Sequence, residues 1–192
     1  TLNPTKWSYI TDKFVCDSHQ MTFTPPNEGD CPAQTTINGY DVVLFHEHKL
    51  RGIKGKRAMA KMARFYHVIR TEAPIKDKGP SGGAGILVKK SIEIVPAQHM
   101  EEYFHAPKEG NWSIATIRLK NWSLAVISMY LTPYECPRNG ITMNEVARTI
   151  EHLECNWLVY GDFNKSPEEI AATNWGPAIS GHLFGPMDTK IT

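Results

Sequence analysis

The chain has 192 residues, of which 41% are hydrophobic and 21% are charged. This composition is ordinary for a globular protein with a sizeable core, so it excludes an intrinsically disordered chain. The 21 basic and 20 acidic residues leave a net charge of +1, so total charge favours no particular partner, and any contact with nucleic acid must come from a local patch. We expect one domain over residues 1–192.

Four cysteines stand far apart in the sequence and form no C-x-x-C pair, so they fit neither a zinc ribbon nor a dense disulfide framework. We expect them to be reduced. The sequence contains no apolar run of membrane-spanning length and no charged-then-apolar leader. It therefore predicts a soluble, intracellular protein without a membrane partner, for which the nucleus is one candidate location, although both ends look cut. The oligomeric state is open, with a monomer favoured over an oligomer.

The first half of the chain alternates between strand and helix patterns. Residues 40–45 (YDVVLF) are nearly all apolar and predict a strand buried on both faces. Residues 51–69 place apolar side chains at helical spacing and predict a helix, whose many cations we interpret as a solvated face rather than a phosphate-binding patch. Residues 79–95 predict a glycine turn, a strand, and a second strand after Lys89 and Lys90. The glycines lack the spacing of nucleotide-binding loops and are interpreted as turn formers.

The second half predicts a hairpin, a helix, a strand and the start of another helix. The hairpin covers residues 112–130 and turns at Lys120 and Asn121, and the helix covers about residues 142–154. Residues 17–36 and 96–111 are predicted loops. Because strands outnumber helices and are mostly neighbours in sequence, we expect two packed sheets with helices outside.

The stretch LVYGDFNKSPEEI (158–170) ends a strand with an acid and an amide just before a helix. Ser166 and Glu169, three residues apart, predict a capping box, so the helix needs neither Asp162 nor Asn164 as its cap. If strand geometry persists, both side chains leave on one side while Phe163 turns to the core. Two interpretations are open: a carboxylate and an amide presented to a phosphate or metal, or polar residues that ease a strand into a loop.

The predicted strand at 40–45 runs into His46, Glu47 and His48. In a strand the two histidines point to one side and the glutamate to the other, so the three cannot easily share one ion. The H-E-x-x-H spacing of helical zinc sites is also absent. Glu47 by itself is a candidate Mg²⁺ ligand, and its alternative interpretation is a surface glutamate at a strand end.

Four motifs in this order resemble the endonuclease/exonuclease/phosphatase superfamily, which includes pancreatic-type DNases, apurinic endonucleases, inositol phosphatases and the endonucleases of non-LTR retrotransposons. They are HEHKL (46–50), SGGAGILVKK (81–90), YLTP (130–133) and LVYGDFN (158–164). The resemblance covers about residues 40–166. It implies an α+β fold, the four-layer α/β/β/α sandwich of DNase-like proteins, incomplete at its C-terminal side.

The resemblance also implies roles for four residues. The metal-binding glutamate of the family matches Glu47, so Glu47 is expected to hold Mg²⁺ or Mn²⁺. The family's phosphate-contacting tyrosine, followed closely by proline, matches Tyr130, and its aspartate and asparagine match Asp162 and Asn164. Asp162 is then expected to orient or deprotonate the attacking water, while Asn164 and Tyr130 bind the phosphate by hydrogen bonds.

The sequence departs from the family at several positions. The family glutamine and threonine beside the glutamate are His46 and His48 here, and residues 13–21 (KFVCDSHQM) offer no equivalent of the early-strand asparagine. The closing Ser-Asp-His motif is absent. The stretch ISGHLFG (179–185) has a glycine where that motif has its carboxylate, so His182 is interpreted as a loop histidine. The chain is therefore expected to be a fragment.

The resemblance implies that the full-length protein hydrolyses phosphodiesters with Mg²⁺, as an endonuclease most like the retrotransposon enzymes. This fragment is expected to be inactive. The expected partner is nucleic acid, DNA first, or another phosphoester substrate. Two alternatives remain: a non-catalytic remnant that serves as a binding module, and a phosphatase that acts on an inositol phosphate or a nucleotide.

Overall fold

The protein is an α+β structure with many more strands than helices, as the sequence predicts. Its computed structural model describes residues 22–23, 35–36, 40–60, 62–77, 79–95, 109–133 and 137–183. The strands are β1 Thr22–Phe23, β2 Thr35–Thr36, β3 Val42–His46, β4 Tyr66–Arg70, β5 Ile75–Lys76, β6 Gly79–Pro80, β7 Ala84–Lys89, β8 Trp112–Leu119, β9 Trp122–Tyr130 and β10 Asn156–Asp162. The helices are α1 Gly52–Ala60, α2 Pro137–Glu151, α3 Pro167–Ala172 and α4 Trp175–Ala178, and Met62–Arg64 forms a 3-10 turn.

Two three-stranded sheets form the centre of the described structure. In the first sheet β7 lies between β3 and β4, and both pairings are antiparallel. In the second sheet β9 lies between β8 and β10; β8 and β9 form the predicted hairpin, whereas β10 runs parallel to β9. A parallel neighbour requires a crossover connection, and α2 provides it between β9 and β10. The short pairs β1–β2 and β5–β6 form two separate ladders.

Three apolar clusters stack the elements into four layers. Ile86 and Val88 of the first sheet meet Ala115, Ile117 and Val126 of the second in a buried inter-sheet core. On the outer face of the first sheet, Phe45 and Leu87 pack on methionines from α1 and the 3-10 turn. On the outer face of the second sheet, β8 and β9 pack on α2, α3 and α4. The predicted α/β/β/α sandwich is therefore confirmed.

The predicted helix over residues 51–69 is wrong in its second half. Helix α1 ends at Ala60, and Tyr66–Arg70 forms strand β4. Tyr66, Val68 and Ile69 are aromatic or β-branched residues that favour a pleated surface, and pairing with β7 buries Tyr66. The exposed cations of α1 are Lys54, Lys56 and Arg57, as on a solvated helix face.

Other boundaries differ less. Helix α2 starts at Pro137, earlier than the predicted residue 142, because proline is well suited to a first helical turn. The predicted strand after Lys89 and Lys90 is reduced, in the described part of the chain, to one bridge between Ile94 and Ile117. The hairpin turn and the capping box of α3 are confirmed.

No helix among the described residues is both long and apolar enough to span a bilayer.

Candidate active site

The ends of β9 and β10 bring Tyr130 and Asp162 side by side. These two residues are direct partners in the parallel register, and the Leu131 N–H donates to the Asp162 carbonyl oxygen at 2.9 Å. Alternation along β9 turns Met129 and Leu131 to the helices, where both pack, so Tyr130 lies on the face toward the first sheet. The two predicted site residues are thus neighbours in space, although 32 positions separate them in sequence.

Tyr130 is nearly fully buried, and its phenol carries an O–H group that can donate a hydrogen bond. Burial raises the pKa of Tyr130 to about 12, and the negative charges of Glu47 and Asp162 act in the same direction. Both carboxylates therefore lie close enough to the phenol to act on its charge. At neutral pH the phenol keeps its proton, so it can donate a hydrogen bond to a phosphate oxygen but cannot act as a base.

Asp162 and Asn164 are joined by a tight turn rather than by continued strand. Asn164 has a left-handed backbone (φ 48°), and its N–H donates to the Asp162 Oδ1 at 3.1 Å. Its side-chain Nδ2 donates to the Leu131 carbonyl at 2.7 Å, while Phe163 packs into the core beneath the helices. The local hydrogen bond matches the turn interpretation, but the geometry also leaves the second Nδ2 hydrogen and the amide oxygen for a ligand.

Glu47 stands where β3 ends. Its backbone is left-handed (φ 50°), and its N–H donates to the Gly83 carbonyl at 2.8 Å. Two residues on, the Lys49 N–H donates to the Gly82 carbonyl at 3.0 Å, so these backbone bonds fix the segment against the loop before β7. The Glu47 side chain is 22% exposed, and its Oε1 lies 3.2 Å from the Lys49 Nζ.

Two glycines let this loop approach the site. Gly82 (φ 82°) and Gly83 (φ 90°) have backbone conformations that other residues avoid. A Cβ on Gly82 would meet the Asn111 side chain, and one on Gly83 would meet the His48 ring. The glycines are therefore turn formers, as predicted, and they also make room for side chains beneath the loop.

Asn111 links the two sheets and was not predicted. This buried residue accepts a hydrogen bond from the Gly83 N–H on its Oδ1 at 3.2 Å, and its backbone carbonyl accepts from the Tyr130 N–H at 2.7 Å. It thereby holds the loop that supports Glu47 against the strand that carries Tyr130. Nothing in the sequence marks it, because an asparagine before a strand is common.

The expectation that His46 and His48 point to one side is wrong. Strand β3 ends at His46, and the left-handed Glu47 redirects the chain. His46 follows Val42 and Leu44 on the inter-sheet face, whereas the His48 ring lies 5.5 Å from the Phe45 ring on the opposite face. Both histidines are buried.

Burial also determines the charge of these histidines. It lowers the pKa of His46 to about 4; it does the same for His48, with a further contribution from the Arg70 guanidinium. Neither His46 nitrogen has a hydrogen-bond partner among the described residues, while the His48 Nδ1 accepts from the Leu50 N–H at 2.9 Å. Both rings are therefore neutral at pH 7, and His48 helps to hold the loop.

The donor set fits a hard divalent cation. The charges of the Glu47 and Asp162 carboxylates both act on the Tyr130 phenol, and Mg²⁺ commonly takes one or two carboxylates while keeping its waters. Within the part of the chain that the structure describes, no group of three or more His, Cys, Asp or Glu side chains gathers into a cage. Such a pair suits Mg²⁺ or Mn²⁺ better than zinc, which needs more protein ligands.

Other sequence expectations fall outside this cluster. His182 lies exposed after α4, as expected of a loop histidine. Residues 13–21, which lack the early-strand asparagine of the family, lie outside the described residues, as do Cys31 and Cys136. Cys155 is a free, partly buried thiol.

Comparison with known proteins gives matches only among solved structures; no family model and no curated protein matches the chain. Truncated TDP2 of Caenorhabditis elegans is 15% identical with a TM-score of 0.44, over 68% of this chain and 52% of that one. The endonuclease domain of TRAS1, a telomere-specific non-LTR retrotransposon, is 17% identical with a TM-score of 0.45, over 72% of this chain and 52% of that one. The human Nocturnin catalytic domain is 11% identical with a TM-score of 0.46, over 71% of this chain and 57% of that one.

All three matches have a sequence identity below 20% and a TM-score below 0.5. The chain spans about half the length of the structures it matches.

Proposed function

We propose that this chain carries the site of a Mg²⁺-dependent phosphodiesterase of the endonuclease type. Its proposed substrate is nucleic acid, with DNA as the first candidate. The observation that supports the proposal is the convergence of Glu47, Tyr130 and Asp162. Two carboxylates from different sheets act on one buried, protonated phenol. This arrangement offers cation ligands and a phosphate hydrogen-bond donor at one place.

Each residue has a separate part in the proposed chemistry. Glu47 would hold the metal ion, which supplies charge stabilisation for the phosphoryl oxygens when bound. Asp162 orients or deprotonates the attacking water, and the protonated Tyr130 donates to a phosphate oxygen. The Asn164 amide donates to the same phosphate, because its Nδ2 has a second hydrogen besides the one that Leu131 accepts.

Metal binding tests the proposal directly. In isothermal titration with MnCl₂ and MgCl₂, we expect the wild type to bind one ion and the Glu47→Gln variant to bind none. Glu93→Gln is the matched control, because it makes the same change at an exposed glutamate that pairs with Arg118 away from the site. Equal affinity in the wild type and Glu47→Gln would show that Glu47 is not the ligand.

We further propose that these 192 residues do not cleave phosphodiesters unaided. The motivation is that they contain no Ser-Asp-His motif. General acid–base groups and phosphate contacts of this kind contribute roughly 10²- to 10⁴-fold each. In a plasmid-nicking assay with Mg²⁺ we expect no nicked product. Nicking that disappears in Asp162→Ala would contradict this, and His182 would then be the first residue to mutate.

A further inference from the structure

Lys49 forms an ion pair with Glu47, the proposed metal ligand. Its Nζ is 3.2 Å from the Glu47 Oε1, in an ion pair whose side chains are 42% and 22% exposed. Exposed pairs of this kind add little to stability. The ammonium group nevertheless contacts one of the two carboxylate oxygens with which Glu47 could bind a divalent cation.

The backbone of Lys49 is held firmly, so only its side chain is free to move. The Lys49 N–H is bonded to the Gly82 carbonyl, and the buried His48 ring beside it accepts from the Leu50 N–H. The Cα position of Lys49 is thereby fixed at the mouth of the site. Its four-carbon stem carries three rotatable N–H donors, which suit a phosphate oxygen.

We propose that Lys49 is a phosphate-binding residue of this site and that its ammonium group is kept on Glu47 until the metal site fills. The inference rests on the proposed function. A divalent cation on Glu47 would repel the ammonium group at the same carboxylate. Lys49 then pairs with the incoming phosphate, the new negative charge at the site, next to the Tyr130 and Asn164 donors.

Two binding measurements on the 192-residue chain test this, and they are expected to change in opposite directions in Lys49→Ala. Affinity for Mn²⁺, measured from the electron paramagnetic resonance of free Mn²⁺, should rise about two- to fivefold because a competing cation is removed. Affinity for methyl phosphate at saturating Mg²⁺, measured by ³¹P NMR titration, should fall about tenfold because a charged hydrogen bond is lost. Lys49→Arg should keep most of the phosphate affinity.

Lys90→Ala is the matched control. Lys90 is exposed just after β7, at the end of the first sheet away from the site, roughly 20 Å from Ala84 by strand length. The Lys90→Ala substitution removes the same charge as Lys49→Ala and should change neither the Mn²⁺ affinity nor the methyl phosphate affinity.

The outcomes separate this proposal from the proposed function. A fall in both affinities in Lys49→Ala would mean that Lys49 only supports the loop, and no change in either would mean that it has no part in binding. Either result, with Mn²⁺ binding still lost in Glu47→Gln, overturns the role of Lys49 alone. A wild-type chain that binds neither Mn²⁺ nor methyl phosphate overturns both proposals.

Discussion

Gly161 is the position at which the close approach of β9 and β10 can be tested most directly. It pairs with Met129, and a Cβ at Gly161 would lie 1.8 Å from the Met129 carbonyl oxygen and 2.8 Å from its carbonyl carbon. Real Cβ atoms essentially never come within 3.0 Å of such a neighbour. The obstacle is backbone, so Gly161→Ala must push the two strands apart by about 1 Å at the level of Tyr130 and Asp162.

The expected loss of stability follows from that displacement. Overpacking against a rigid neighbour costs about 1–3 kcal/mol, and the hydrogen bond from Leu131 to Asp162 beside it is worth roughly 1 kcal/mol. We therefore expect the free energy of unfolding to fall by about 3 kcal/mol. For a chain of this size that lowers the Tm by roughly 6–12 °C.

Urea denaturation followed by circular dichroism measures the change. Gly140→Ala is the matched control, because Gly140 lies in α2 with nothing within 4 Å of its would-be Cβ. There the same substitution should stabilise the helix by about 0.5–1 kcal/mol. The reasoning is refuted if Gly161→Ala unfolds at the wild-type urea concentration, or if both variants lose the same stability.

Three further predictions concern stability. Asn139→Ala should lower the free energy of unfolding in urea by about 2–4 kcal/mol, because the buried Asn139 amide makes three hydrogen bonds to Thr132, just after β9. The control Asn144→Ala, at an exposed position of the same helix, should lower it by less than about 0.5 kcal/mol. Ser166→Ala should cost about 1 kcal/mol by the same assay, through loss of the capping box; a wild-type midpoint would show that the cap contributes nothing. Stability should fall as the pH drops from about 6.5 toward 4. The reason is that the unfolded chain protonates its histidines near pH 6.5, whereas burial lowers the pKa of His46 and of His48 in the folded chain to about 4. Thermal melts at pH 7.5 and 5.0 check this, and equal Tm values would contradict it.

Local patterns in the sequence were sufficient for much of the second sheet. The hairpin at Lys120 and Asn121 and the capping box at Ser166 involve residues a few positions apart, so the signal and the structure lie in the same short segment. The meeting of Tyr130 with Asp162 was expected only from the resemblance. It depends on strand register across α2, which no local pattern reveals.

The errors and omissions arise where distant contacts override local preference. The apolar spacing that continues to Tyr66 extended the predicted helix to residue 69, but Tyr66–Arg70 pairs with β7 as a strand. His46 and His48 would share a face in a strand, yet the contact of Glu47 with Gly83, 36 positions away, ends the strand between them. Asn111 acts through bonds to both sheets, so its importance appears only once the fold is known.

The parallel pairing of β9 with β10 also has a consequence for the order of folding. The β8–β9 hairpin closes over a two-residue turn, so it can form early and locally. Strand β10 joins β9 by closing the much longer connection through α2, which costs more loop entropy, so we expect it to join later. Since Tyr130 is carried by the hairpin and Asp162 by β10, we expect the candidate site to form only when β10 joins, so that a chain stopped before that step would have an ordered hairpin but no complete site.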